Sequence, residues 1–215
     1  MAKRKNLQKA LESAVRCFQA GDLGAAANHC NTVLKAVPGE SNALHVLGAV
    51  RLRQNDPQTA ISLLDQARKA EHQNAEIMIN LGAAYRAGGQ AEKAAEVLRE
   101  ATARVSNNPS AHLNLANALA TAGNAAAAVK FYRQVLTLVP GHTGALNEMA
   151  RTLNAMGDVD AAMAAYKNLD ARAPDVPKTL NTLGALHASQ SRLELAKEYF
   201  RRAPGEAPND SDVAA

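Results

Sequence analysis

The sequence predicts an all-α fold built from six consecutive helix-turn-helix units of 34 residues, and three columns of residues carry that prediction. Alanine recurs at Ala26, Ala60, Ala94, Ala128, Ala162 and Ala196. A second column of small residues, Ala14, Gly48, Gly82, Ala116, Ala150 and Gly184, keeps the same spacing. Between them runs a third, Gly21, Asn55, Gly89, Gly123, Gly157 and Ser191, whose members mostly tolerate a left-handed backbone and can close a helix. Composition agrees with this reading. The chain is 47% hydrophobic with 3% aromatics and no Trp, so its apolar inventory is mainly Ala and Leu, which are strong helix formers.

Taken in order, a basic lead at 1–6 precedes units at 7–40, 41–74, 75–108, 109–142, 143–176 and 177–210, with no insertion or deletion. The small columns are the eighth and twentieth positions of each unit, where missing bulk lets two helix backbones approach closely. Larger groups fill the seams beside them. The seventh position holds Leu47, Leu81, Leu115, Met149 and Leu183, and the twenty-fourth Leu64, Leu98, Tyr132, Tyr166 and Phe200. The exceptions, Ser13 and Cys30, both fall in the first unit, as expected of a terminal unit with one unpartnered face. At this spacing the Met, Tyr and Phe residues are core rather than the lining of a cofactor box.

The sixteenth position opens the second helix. Asp22, Asp56, Asn124 and Asp158 are N-cap types there, and Asp56-Pro57 adds proline where its missing N–H does no harm. Pro38, Pro140, Pro174 and Pro208 stop the second helix near the unit boundary. In the last unit Pro204-Gly205 interrupts earlier, so the final helix is expected to end near Arg202. Residues 211–215 read either as a tail or as the opening of a truncated seventh unit.

The run Asn80-Leu81-Gly82-Ala83-Ala84-Tyr85 with Gly89 and Ala94, and its echoes Leu47-Gly48 with Ala60 and Leu115-Ala116 with Gly123 and Ala128, resemble the tetratricopeptide repeat (TPR) family. That resemblance implies a right-handed superhelical solenoid whose first helices line a concave groove. It further implies that the second, fifth, sixth, ninth, twelfth and thirteenth positions point into that groove. Those positions hold Asn42, Asn80, Asn114, Asn117, Asn147, Asn154 and Asn181, joined by His45, Arg53, Arg86, Arg151 and Lys178 and by Glu12, Glu76 and Glu148. An Asn amide offers donor and acceptor together, so it can match the N–H and C=O of an extended peptide whatever its side chains.

Asn80 and Asn114 share the sixth position, and the Asn-Leu-Gly or Asn-Leu-Ala pattern resembles the asparagine ladder of O-linked N-acetylglucosamine transferases. The ladder is short, because Glu12, Val46, Glu148 and Thr182 take that position elsewhere. Clamping of a partner's terminal carboxylate would need Lys and Arg with Asn on adjacent first helices. The chain offers Ser110 with Asn114, or Gly144 with Glu148, so an acidic C-terminal tail is disfavoured.

The expected role is therefore a protein-interaction module or scaffold that binds a protein or an extended peptide segment. The alternative is a substrate-recruiting N-terminal domain of a larger transferase, a sulfotransferase or glycosyltransferase, whose repeat regions this pattern also resembles. No phosphate loop, G-x-S-x-G elbow, H-E-x-x-H or Cys-x-x-Cys is present, so no catalytic residue, metal site or small-molecule cofactor is expected. His29, His45, His72, His112, His142 and His187 are scattered over the units as surface or seam residues. The net charge of +4 is dispersed apart from Lys3-Arg4-Lys5, which argues against nucleic acid. No stretch is apolar enough for a membrane span, and Cys17 and Cys30 sit at packing positions, so the location expected is cytoplasmic.

Overall fold

A computed structural model describes residues 2–203. Pro204, Gly205, Pro208 and the segment 211–215 lie outside the described residues. Among the described residues there are twelve helices and no strand. They are α1 (Ala2–Gln19), α2 (Leu23–Ala36), α3 (Ser41–Arg53), α4 (Pro57–Ala70), α5 (Ala75–Ala87), α6 (Ala91–Arg104), α7 (Pro109–Thr121), α8 (Ala125–Leu138), α9 (Thr143–Ala155), α10 (Val159–Arg172), α11 (Pro177–Ser189) and α12 (Leu193–Arg202). The basic segment 2–6 is the first part of α1. At the other end α12 stops at Arg202, where the sequence places its end.

The chain divides into two compact units, 1–122 with α1 to α7 and 123–215 with α8 to α12. In the first, α1 packs on α2, α3 on α4 and α5 on α6, while α1, α3, α5 and α7 also touch in succession. The second unit pairs α9 with α10 and α11 with α12. All six alanines of the twentieth position are 0% exposed, and the eighth position is buried throughout, so both small columns are true contact points. Leu64 and Leu98 are also fully buried. Each contributes roughly 1.5–3 kcal/mol by leaving water.

The turns follow from local chemistry. Gly21, Asn55, Gly89, Gly123, Gly157 and Ser191 all adopt positive φ, between 59° and 84°. There the chain reverses, and the N–H of Asp22, Asp56 and Asp158 bonds back to the carbonyls of Cys17, Arg51 and Leu153 at 2.9–3.0 Å. These bonds satisfy carbonyls that the helix end would otherwise leave without partners. The side chains of Asp22, Asp56, Asn124 and Asp158 then accept the N–H of Ala25, Thr59, Ala127 and Ala161. All four residues expected to open second helices do so.

First helices are capped as well, by residues the sequence did not mark. Glu40, Asn74, Asn108 and His142 accept from the starts of α3, α5, α7 and α9, His142 through Nδ1 at 3.1 Å from the Ala145 N–H. Met149 and Phe200, expected in the core, are only half-buried, whereas Tyr132 and Tyr166 are buried. Cys30 is buried beside Ala14, and burial, with Glu40 nearby, pushes its thiol up to about 11. It packs as a small hydrophobe, as its position in the sequence suggests.

Candidate functional site

A concavity of the first unit lies across α1, α3 and α5, the first helices of three successive pairs. It is an open pocket of about 780 Å³. Its apolar wall consists of Leu11, Val15 and Phe18 from α1 with Val46 and Ala49 from α3. Glu12 and Arg16 on α1, Asn42 and His45 on α3, and Glu76 and Asn80 on α5 supply the polar groups. The first helices expose these side chains because their other faces are turned to the paired second helices.

Asn80 and His45 are joined across the pocket, with Asn80 Nδ2 2.7 Å from His45 Nε2. The amide therefore donates to a neutral imidazole, which leaves the Asn80 carbonyl oxygen for another donor. Burial lowers the His45 pKa below the ordinary histidine value, against the opposing pull of Glu76 and Glu71. Asn42 Nδ2 donates to Glu40 at 3.3 Å and stays exposed. The pocket thus brings together Asn42, His45 and Asn80 from the residues the sequence singled out, with Glu12 and Glu76.

The other groove residues of the first unit stand elsewhere. Arg53 reaches back to α1, where Nη1 donates to the Phe18 carbonyl at 3.1 Å and the guanidinium lies 5.1 Å from the Phe18 ring centre. It braces the aromatic wall of the pocket without lining it. Arg86 is half-buried near the end of α5, and Asn114 and Asn117 are half-buried on α7.

In the second unit Asn147 donates to Glu148 at 3.2 Å, and Glu148 also pairs with Arg151 at 2.9 Å. Asn154 on α9 and Asn181 and Lys178 on α11 are exposed.

The pocket's apolar wall was missed by a search confined to polar side chains. Leu11, Val15, Phe18, Val46 and Ala49 occupy the same fifth, sixth, ninth and twelfth positions that gave the polar candidates, so the signal was present. Among the described residues no group of three His, Cys, Asp or Glu is placed to hold a metal ion. No helix among them is long and apolar enough to cross a membrane.

Paired helices with small contact columns, left-handed turns and a pocket across successive first helices define a helical repeat protein. The chain belongs to the tetratricopeptide repeat family, whose model matches residues 18–77, 51–118, 85–136, 119–180 and 155–215. No curated protein sequence matches it. Among solved structures it is similar to PilW, a widely conserved type IV pilus biogenesis factor, at TM-score 0.84 and 19% identity, covering 96% of each chain. PilF of Pseudomonas aeruginosa is similar at TM-score 0.78 and 18% identity, again over 96% of each chain. YrrB, described as a TPR protein with an unusual peptide-binding site, matches at TM-score 0.68 and 16% identity over 88% of this chain and 97% of that one. At these identities the likeness is one of fold.

Proposed function

We propose that this chain is a protein-interaction module that takes an extended peptide segment across α1, α3 and α5. One observation carries the reading: an open pocket of about 780 Å³ has an apolar wall and polar groups supplied by three successive first helices. The apolar wall gives a partner side chain somewhere to leave water. Asn42 and the free carbonyl of Asn80 offer hydrogen bonds to the partner's backbone, which needs no particular side-chain sequence. The peptide-binding site ascribed to YrrB supports the reading by analogy of fold. Asn114, Asn117 and Arg86 would extend the track along the first unit, and Asn147, Arg151, Asn154 and Asn181 would serve the second.

The same pocket would serve a recruiting domain of a larger transferase, the alternative raised by the Asn-Leu-Gly pattern. The intact mass of the native protein distinguishes the two, since a recruiting domain requires a product much larger than 22.6 kDa. A cytoplasmic location belongs to this proposal and is supported by Cys17 and Cys30, which are free thiols.

The test is site-specific photocrosslinking in the native cell. A benzoylphenylalanine at Val46 in the pocket should capture a partner protein, whereas the same group at exposed Lys93 on α6 should not. Equal capture from both positions, or capture from Lys93 alone, would place the binding face elsewhere.

A further inference from the structure

A second concavity lies in the second unit, on the side formed by the second helices α8 and α10 with α9 between them. It is a slot of about 330 Å³, and its lining includes Arg133 and Leu136 of α8, Met149 of α9, and Ala164, Ala165 and Asn168 of α10. Its origin can be read from the repeat register. The twenty-third position is Leu63, Val97, Phe131 and Tyr199 in four repeats and His29 in the first, but in the fifth it is Ala165. The position before it, Asn28, Ser62, Glu96, Lys130 and Glu198 elsewhere, is Ala164. Two consecutive alanines thus stand where the other repeats carry a bulky side chain and a polar one. The slot is the space they leave.

Its chemistry is one-sided. Leu136 and Met149 are only half-buried, so they present apolar surface to the slot. Arg133 is exposed and is the only charged residue among the described residues that line it. Asn168 Oδ1 accepts from Arg172 Nε at 2.7 Å, which fixes the amide and brings a second cation to that end. No carboxylate answers these cations within the lining.

We infer that this slot is a second protein-docking site, and that it takes an aliphatic side chain flanked by a carboxylate on an acidic partner segment. The aliphatic group would fill the volume the alanines vacate, and the carboxylate would pair with Arg133, which can bind it in a bidentate fashion. This site is separate from the pocket on α1, α3 and α5, and it differs in the charge of the partner it selects.

The Met149 methyl group is a built-in reporter. The full chain, labelled with ¹³C at its methionine methyls, is titrated with a short peptide centred on Asp-Leu-Asp, and the Met149 resonance is followed. The expected result is a saturable shift of that methyl, at least tenfold weaker for peptides centred on Lys-Leu-Lys or Asp-Ala-Asp. Ala165→Leu restores the residue that repeat two carries at this position and should abolish the shift while melting is kept. Arg133→Glu changes an exposed residue, so the fold is retained. It should lose the Asp-Leu-Asp peptide and gain the Lys-Leu-Lys one. No saturable shift of Met149 with Asp-Leu-Asp, equal affinity for the three peptides, or undiminished binding by Ala165→Leu would each overturn the inference.

Discussion

Gly82 and Leu98 occupy one space between α5 and α6. A Cβ placed on Gly82 would come within 2.6 Å of Leu98 Cδ1 and 2.8 Å of Cδ2, so the leucine fills the volume the glycine lacks. Gly48 with Leu64 and Gly184 with the Phe200 ring repeat the relationship. Where the eighth position is Ala14, the twenty-fourth is the smaller Cys30, in the same core cluster. The two columns are therefore matched in size in the first, second, third and sixth repeats, whereas the fourth and fifth place Tyr132 and Tyr166 with Ala116 and Ala150.

Gly82→Ala tests this coupling. Helix propensity alone favours the alanine by roughly 0.5–1 kcal/mol, but overpacking against a buried leucine costs about 1–3 kcal/mol. The expected net result is a loss of about 1 kcal/mol in chemical denaturation. Adding Leu98→Cys to this variant recreates the Ala14 and Cys30 pair and should relieve the overpacking, so the two changes should be non-additive. A single variant more stable than the parent would show that the helices are not in this contact.

Ser191 offers a test in the stabilising direction. It holds φ at 59° in the turn between α11 and α12, a conformation that costs an L residue roughly 1–2 kcal/mol. Ser191→Gly removes that strain but adds glycine's extra unfolded-state entropy. A net gain of about 0.5–1 kcal/mol is expected. Asn55→Gly should gain less, because Asn tolerates its φ of 60° better. Thermal melts of the two variants side by side check the order.

What could be read from the sequence was whatever repeats. The small columns, the left-handed turns and the caps of Asp22, Asp56, Asn124 and Asp158 each occur in register, so one position supports another. The caps of the first helices did not stand out because Glu40, Asn74, Asn108 and His142 share a role but spread over three residue types. The positive φ of Asp175, 59°, is not shared by its in-register counterparts Gly39, Gln73, Asn107 and Gly141. At the candidate pocket, position identified Asn42, His45 and Asn80, but the bond between His45 and Asn80 joins residues 35 apart. Spacing alone cannot say that two side chains will spend their hydrogen bonds on each other.

That bond shapes the effect of substitution at the pocket. Asn80→Ala removes the amide from both His45 and the partner, whereas Asn114→Ala changes only a half-buried amide on α7. Once the crosslinked partner segment is known, the double variant should weaken its binding by about 1–3 kcal/mol, with Asn80 giving the larger share. Helicity should not change. Calorimetric titration of the single and double variants measures the split, and unchanged affinity in the double variant would remove the asparagines from the binding surface.

Stability should fall in mild acid, and His187 should be a cause. The ring is 1% exposed, and it stacks on Tyr199 of α12 with centroids 5.3 Å apart and planes at 12°. Neither ring nitrogen has a hydrogen-bond partner among the described residues. Burial lowers its pKa below the ordinary histidine value, and Lys167 and Arg192 push the same way. The folded state therefore disfavours the proton that the unfolded chain accepts near pH 6.5. With more protons bound in the unfolded state, the contribution is complete above about pH 6.5 and declines as pH falls from there toward the folded pKa. His45, lowered by its own burial, acts in the same sense. His187→Phe keeps a ring against Tyr199 and cannot take the proton. Denaturation midpoints measured from pH 7.5 to 5 should show a shallower decline for this variant than for the parent. Identical slopes would mean that His187 already finds a proton partner in the folded protein.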